Sequence, residues 1–110
     1  MTATIWPTIN RSLRRGRELR NRTNTPLGIA TYRVAEVSET GIIAQRIATG
    51  SMVRVTRRMI EKTLDRLAGG EAIPFRSISY TVAIETVVVA ALLAIDAIEI
   101  DNATKTYVTP

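Results

Sequence analysis

Cysteine and histidine are both absent from the 110 residues. That removes disulfides, thiolate nucleophiles, imidazole bases and the usual zinc ligand sets together. Aromatic residues are few: one Trp, one Phe and three Tyr. Glycines are few as well. Gly16, Gly28, Gly41 and Gly50 stand alone, and neither of the glycine patterns that cradle phosphates occurs. The longest apolar run is Val87 to Ile95, well short of the roughly 20 residues a transmembrane helix needs, so no membrane span is expected. The first residues lack the apolar core of about 7–15 residues that marks a signal peptide, so the expected location is cytoplasmic.

What is present suffices for one folded unit. An apolar content of 45% is ordinary for a globular chain, and this length accommodates a single core. The stretch to be buried first is Tyr80 to Ile95, YTVAIETVVVAALLAI, with Glu85 as its one charge. As a helix it is apolar on nearly every side, which requires cover on nearly every side. Tyr80, Val82 and Ile84 alternate with Thr81, Ala83 and Glu85, and three valines follow; both features favour a strand. Ala90 to Ala94 and the length of the run favour a helix, with Ser79 as its N-cap. The helix is the reading adopted.

The net charge of +5 belongs to one segment. Residues 11–22 carry six arginines and one glutamate, which leaves nine basic and nine acidic residues elsewhere. Residues 1–25 are accordingly read as a basic N-terminal arm containing at most a short helix. Ile5, Trp6 and Ile9 are expected to anchor it to the body. Residues 26–110 are read as a single α+β domain.

Within that domain Pro26-Leu27-Gly28 marks a turn. Period-two patterning from Ile29 to Val37, hairpin residues Ser38 to Gly41, a return strand over Ile42 to Ala48 and a short strand over Met52 to Val55 predict a three-stranded antiparallel meander. Thr56 then caps a helix, RRMIEKTLDRLA, whose buried stripe is Ile60, Leu64 and Leu67. Gly69-Gly70 ends it with a left-handed cap. Beyond the apolar helix, Ala97 to Ile100 and Lys105 to Val108 predict a terminal hairpin.

Chemistry-bearing groups are sparse. Asp96, Glu99 and Asp101 could offer oxygen ligands to Mg²⁺, but such spacing is common in solvated hairpins and no base or Lys accompanies it. Neither a catalytic nor a metal site is expected, and no cofactor. Glu85 is read as the one wet edge of its helix; if buried it needs a partner such as Arg or Thr81, or is protonated. The arginines are the functional lead. Arg11, Arg14, Arg15, Arg17, Arg20 and Arg22 suit forked contacts with phosphate, each displacing a counterion. Arg54, Arg57 and Arg58 at the start of the capped helix are candidates for a second phosphate contact.

The order TYRVAEVSETGIIAQR, VRVTRRMIEKTLDRLAGG and ISYTVAIETVVVAALLAI, from about Leu27 to Ile100, resembles small accessory domains of bacterial restriction and other DNA-processing proteins. The resemblance implies a winged-helix-like fold with a DNA-binding or partner-docking role. A recognition helix presents Arg, Lys, Asn or Gln to base edges, and Tyr80 to Ile95 has none, so this helix is not expected to read DNA. Two functional readings follow. The first is a DNA-associated binding module that contacts phosphates through its arginines. The second is an interaction protein, a homodimer formed through the apolar helix, with the arm used in assembly.

Overall fold

The computed structural model describes residues 6–20, 30–79 and 81–110. Ile5, the Pro26-Leu27-Gly28 turn, Arg22 and Tyr80 lie outside the described residues. The chain is mixed α+β, with strands β1 (Glu18–Arg20), β2 (Thr31–Ser38), β3 (Gly41–Arg46) and β4 (Met52–Thr56) in one antiparallel sheet of order β1-β2-β3-β4. The three-stranded meander expected from the sequence is β2 to β4. Alternation puts Leu19, Tyr32, Val34, Ile42, Ala44, Val53 and Val55 on the buried face. A register shift between Val34 and Glu36 inserts one extra residue. That bulge keeps Val34 and Val37 on the inner side despite their odd spacing.

Gly41 starts β3 at a φ of 154°, and a Cβ there would overlap the carbonyl oxygen of Val55. The β2–β3 turn therefore depends on glycine.

Residues 6–20, within the stretch read as an arm, hold a helix, α1 (Trp6–Ser12), as well as β1. Trp6, Ile9, Leu13 and Leu19 all lie in the core. β1 pairs with only the first part of β2. The remainder of that edge is held by α1 and the turn after it. Trp6 Nε1 donates to Ser38 O at 3.1 Å, Gly16 N donates to Val34 O and Val34 N to Arg17 O. An otherwise open strand edge is thereby covered.

The capped helix, α2 (Arg57–Ala68), begins where the sequence places it. Thr56 Oγ1 accepts from Met59 N, and Ile60, Leu64 and Leu67 are buried. At its end Gly70 N donates to Leu67 O and Glu71 N to Arg66 O, the paired bonds of a Schellman motif. The left-handed residue is Gly70, at a φ of 86°, rather than Gly69. Leu64→Ala is expected to cost about 2–3 kcal/mol, towards the lower end for a buried leucine, because Leu64 keeps 8% of its surface exposed. A denaturant melt displaced by less than about 0.5 kcal/mol, a surface-site value, would contradict this placement.

The apolar helix is α3 (Val82–Ala94), which crosses the inner face of the sheet and touches both edge strands, β1 and β4. Its N-cap is Thr81, one step past the Tyr80 start and two past the expected Ser79. Its C-terminus is a second Schellman motif: Asp96 N donates to Leu93 O and Ala97 N to Leu92 O. Asp96 takes the left-handed position at a φ of 55°. Val87 to Leu92 are at most 1% exposed within a single chain. The middle of the helix is thus covered within one chain, while Val82 at its start is 49% exposed and Leu93 to Ile95 at its end are partly buried.

A second sheet completes the core, with β5 (Ile73–Pro74), β6 (Glu99–Asp101) and β7 (Thr106–Val108) in the order β5-β7-β6. The terminal hairpin of the sequence reading is β6–β7; β5 adds a two-residue strand on the far side. Tyr107 on the central strand is fully buried, 5.0 Å from the Phe75 ring. Thr109 Oγ1 donates to Leu67 O at 3.0 Å and ties the chain end to the end of α2. The described residues thus hold three helices, a four-stranded and a three-stranded sheet, where two helices, one meander and a hairpin were expected.

Candidate functional site

With α3 and α2 packed on one face of the four-stranded sheet, the other face is open. Register sets its side chains in rows: Glu18, Arg33, Gln45 and Met52 in one, Glu36, Ile43 and Arg54 in the next, Arg20 and Thr31 beyond. Neighbours within a row sit about 4.5–5.5 Å apart. Met52, at this end of the sheet, is 56% exposed. A groove of about 650 Å³ runs from Asn10, Arg14 and Arg15 on the α1 side over Glu36 and Ile43 to Met52. A second, of about 300 Å³, shares Glu36 and Ile43 and continues past Arg54 to Thr56.

The arginines named from the sequence divide into two groups. Arg11, Arg14, Arg15, Arg20, Arg54 and Arg58 are exposed. Among the described residues none of these six forms an ion pair. Arg14 Nε donates to Arg11 O at 3.1 Å, which steadies it at the groove mouth. Arg17 and Arg57 are committed to the fold. Arg17 donates to Ser12 O at the end of α1 and, at 3.3 Å, to Ala94 O at the end of α3. One cation thus serves the negative ends of two helix dipoles. Arg57 pairs with Glu39 at 3.3 Å and Glu61 at 3.4 Å and lies 5.3 Å from the centre of the Trp6 ring. Arg33, which the sequence reading did not single out, joins the open face; its partner Glu18 is 4.0 Å away and both are largely exposed. The sign of that omission was present in the sequence, because Arg33 occupies an outward position of the alternating strand.

A second concentration of polar groups surrounds Glu85. The expectation of a wet helix edge is corrected, since Glu85 is fully buried. Its partners are neither Arg side chains nor Thr81. Oε2 accepts from Arg76 N at 2.7 Å and from Tyr107 OH at 2.9 Å. Oε1 accepts from Ile78 N at 2.9 Å and Ser79 N at 3.4 Å. Arg76 sits in the left-handed region at a φ of 67°, which aims its N–H at the carboxylate. Three backbone donors and a phenol leave no room for a substrate. This is a clasp that fastens the loop before α3, and β7, to the helix.

The Tyr107 hydroxyl is raised well above the ordinary tyrosine value, first by burial, then by the Glu85 charge and the hydrogen bond to it. A group raised on folding contributes stability that is whole below its unfolded value, about 10, and is lost as pH climbs above it. Stability is therefore expected to fall above about pH 10, with Tyr107 adding up to about 1.4 kcal/mol per pH unit to the slope. Melts of the wild type and Tyr107→Phe across that range check this. The variant should lack the added slope, and equal slopes would contradict the assignment.

The acidic trio offers no assembled site. Asp101 Oδ1 accepts from Ala103 N and Thr104 N inside its own hairpin. Those bonds, Thr104 first, hold its carboxyl below the usual range. Asp96 serves the end of α3. Among the described residues no group of three metal-ligating side chains converges, and no helix is long and apolar enough to cross a membrane. Comparison with protein-family models, curated proteins and solved structures finds no match.

Proposed function

We propose that the protein is a DNA-associated binding module whose open sheet face meets the phosphate backbone. The observation that carries the reading is the placement of Arg14, Arg15, Arg20 and Arg54. Arg14 and Arg15, in the turn after α1, and Arg54 on β4 line the two grooves, and Arg20 on β1 stands on the same sheet face; all four are exposed and form no ion pair among the described residues. Arg11 is exposed on α1, and Arg33 stands on the same sheet face beside Glu18. Glu36 lies near the centre of the grooves, so phosphates are assigned to the rim and not to the middle. None of the described aromatic rings stands on this face: Trp6, Tyr32 and Tyr107 are buried, and Phe75 packs on Tyr107. Affinity then comes from charge with little stacking, and sequence preference is slight.

The alternative, assembly through α3, has less apolar surface to use, since Val87 to Leu92 are covered and only the ends of the helix, such as Val82, are open. The reading is tested by titrating labelled DNA with the intact protein over a range of salt. The logarithm of the association constant should fall linearly with the logarithm of salt, by about 0.9 per duplex phosphate contacted. Absence of binding at low salt would remove the reading.

A further inference from the structure

The open-face grooves do not stop at the edge of the sheet. The groove past Arg54 ends at Thr56, and Thr56 also opens a third groove, of about 260 Å³, between α2 and the Ser77-Ile78 segment. Arg58, Lys62 and Arg66 line it. They are four residues apart, about 6 Å per step along one helix face, and like charges so spaced disfavour a helix in isolation. Arg58 and Lys62 form no ion pair among the described residues, whereas Arg66 is held by Glu71 at the far end. The three grooves are therefore chained by shared residues: Glu36 and Ile43 join the first two, and Thr56 joins the second to the third. Arg54 and Arg58 flank the point where the path turns over the β4 edge.

Resting on the nucleic-acid reading above, we infer that the ligand is a single strand, which follows this path from Arg14 and Arg15 over Arg54 to Arg58 and Lys62. A duplex is stiff over about 150 base pairs and meets the flat sheet alone. A single strand bends at each nucleotide and can track a charged groove around an edge. Lys62 is then a binding residue, although it lies on the helix that covers the opposite face of the sheet.

The test uses fluorescence anisotropy of a short oligothymidylate and of a blunt duplex of equal length, with the full chain and with Arg58→Ser/Lys62→Ser. The full chain should favour the single strand. The double variant should lower the single-strand salt slope by about 1.4, two contacts at about 0.7 each, and leave the duplex slope unchanged. Equal single-strand slopes for the two proteins, with binding intact, would overturn the path while leaving the sheet-face reading in place. Loss of both slopes together, or a preference for duplex, would overturn it as well. Failure of the full chain to bind either probe would remove both readings at once.

Discussion

Glu85→Ala is expected to destabilise the protein by about 3–5 kcal/mol, a large share of the roughly 5–15 kcal/mol that holds a domain of this kind folded. Truncation strands Arg76 N, Ile78 N, Ser79 N and the Tyr107 hydroxyl. A buried donor without a partner costs about 1–3 kcal/mol. Not all four are fully enclosed, so the sum is less than four full penalties. Glu85→Gln keeps the shape and one accepting oxygen, but turns an amide NH₂ towards donors, so an intermediate loss is expected. Urea melts at neutral pH separate the cases. A Glu85→Ala midpoint equal to wild type would mean that the clasp contributes nothing.

The second large effect concerns binding. Replacing Arg14, Arg15, Arg20 and Arg54 together with Ser should lower the salt slope of DNA binding by about 3.6 for a duplex, four contacts at about 0.9 each. It should leave stability nearly unchanged, since exposed substitutions usually stay within about 0.5 kcal/mol per site. Arg17→Ser and Arg57→Ser should do the reverse. Arg17 holds the ends of α1 and α3, and Arg57 holds Glu39, Glu61 and the Trp6 face, so their loss should lower the melting midpoint and spare the slope. If instead Arg17→Ser reduces the slope as much as Arg15→Ser, the division between structural and binding arginines is wrong.

Most of the framework was legible because local chemistry and burial agree. Thr56 and Gly70 bracket α2 with a cap at each end, and alternation outlines β3, β4 and, as far as the bulge after Val34, β2. α3 was legible as a helix against its valines because Ala90 to Ala94 are strong helix formers and the run is longer than an ordinary strand. β1 was hidden, since Glu18, Leu19 and Arg20 give a single alternation inside a run of charge. Only the core behind Leu19 makes them a strand. β5 is two residues long and carries no periodic signal at all. The end of α3 was read within one residue, at Ile95 against Ala94, although Asp96 and not a glycine takes the left-handed position.

For the candidate site, composition located the arginines but not their separate roles. Arg17 looks like its neighbours until Ser12 O and Ala94 O arrive beside it. Arg33 and Lys62 were passed over because neither sits in the densest run of charge. Glu85 was misjudged for a related reason. Besides the Tyr107 hydroxyl its described partners are backbone N–H groups, which every sequence possesses and no sequence displays, so a buried glutamate looked costlier than it is.

The most direct test of the central claim is a backbone amide chemical-shift map of the labelled protein titrated with a short DNA oligonucleotide at low salt. The sheet-face account predicts shifts concentrated at residues 14–20, 31–36, 43–45 and 52–58, with Glu99 to Thr109 of the second sheet undisturbed. Shifts confined to that second sheet, or none at any ratio of oligonucleotide to protein, would contradict it.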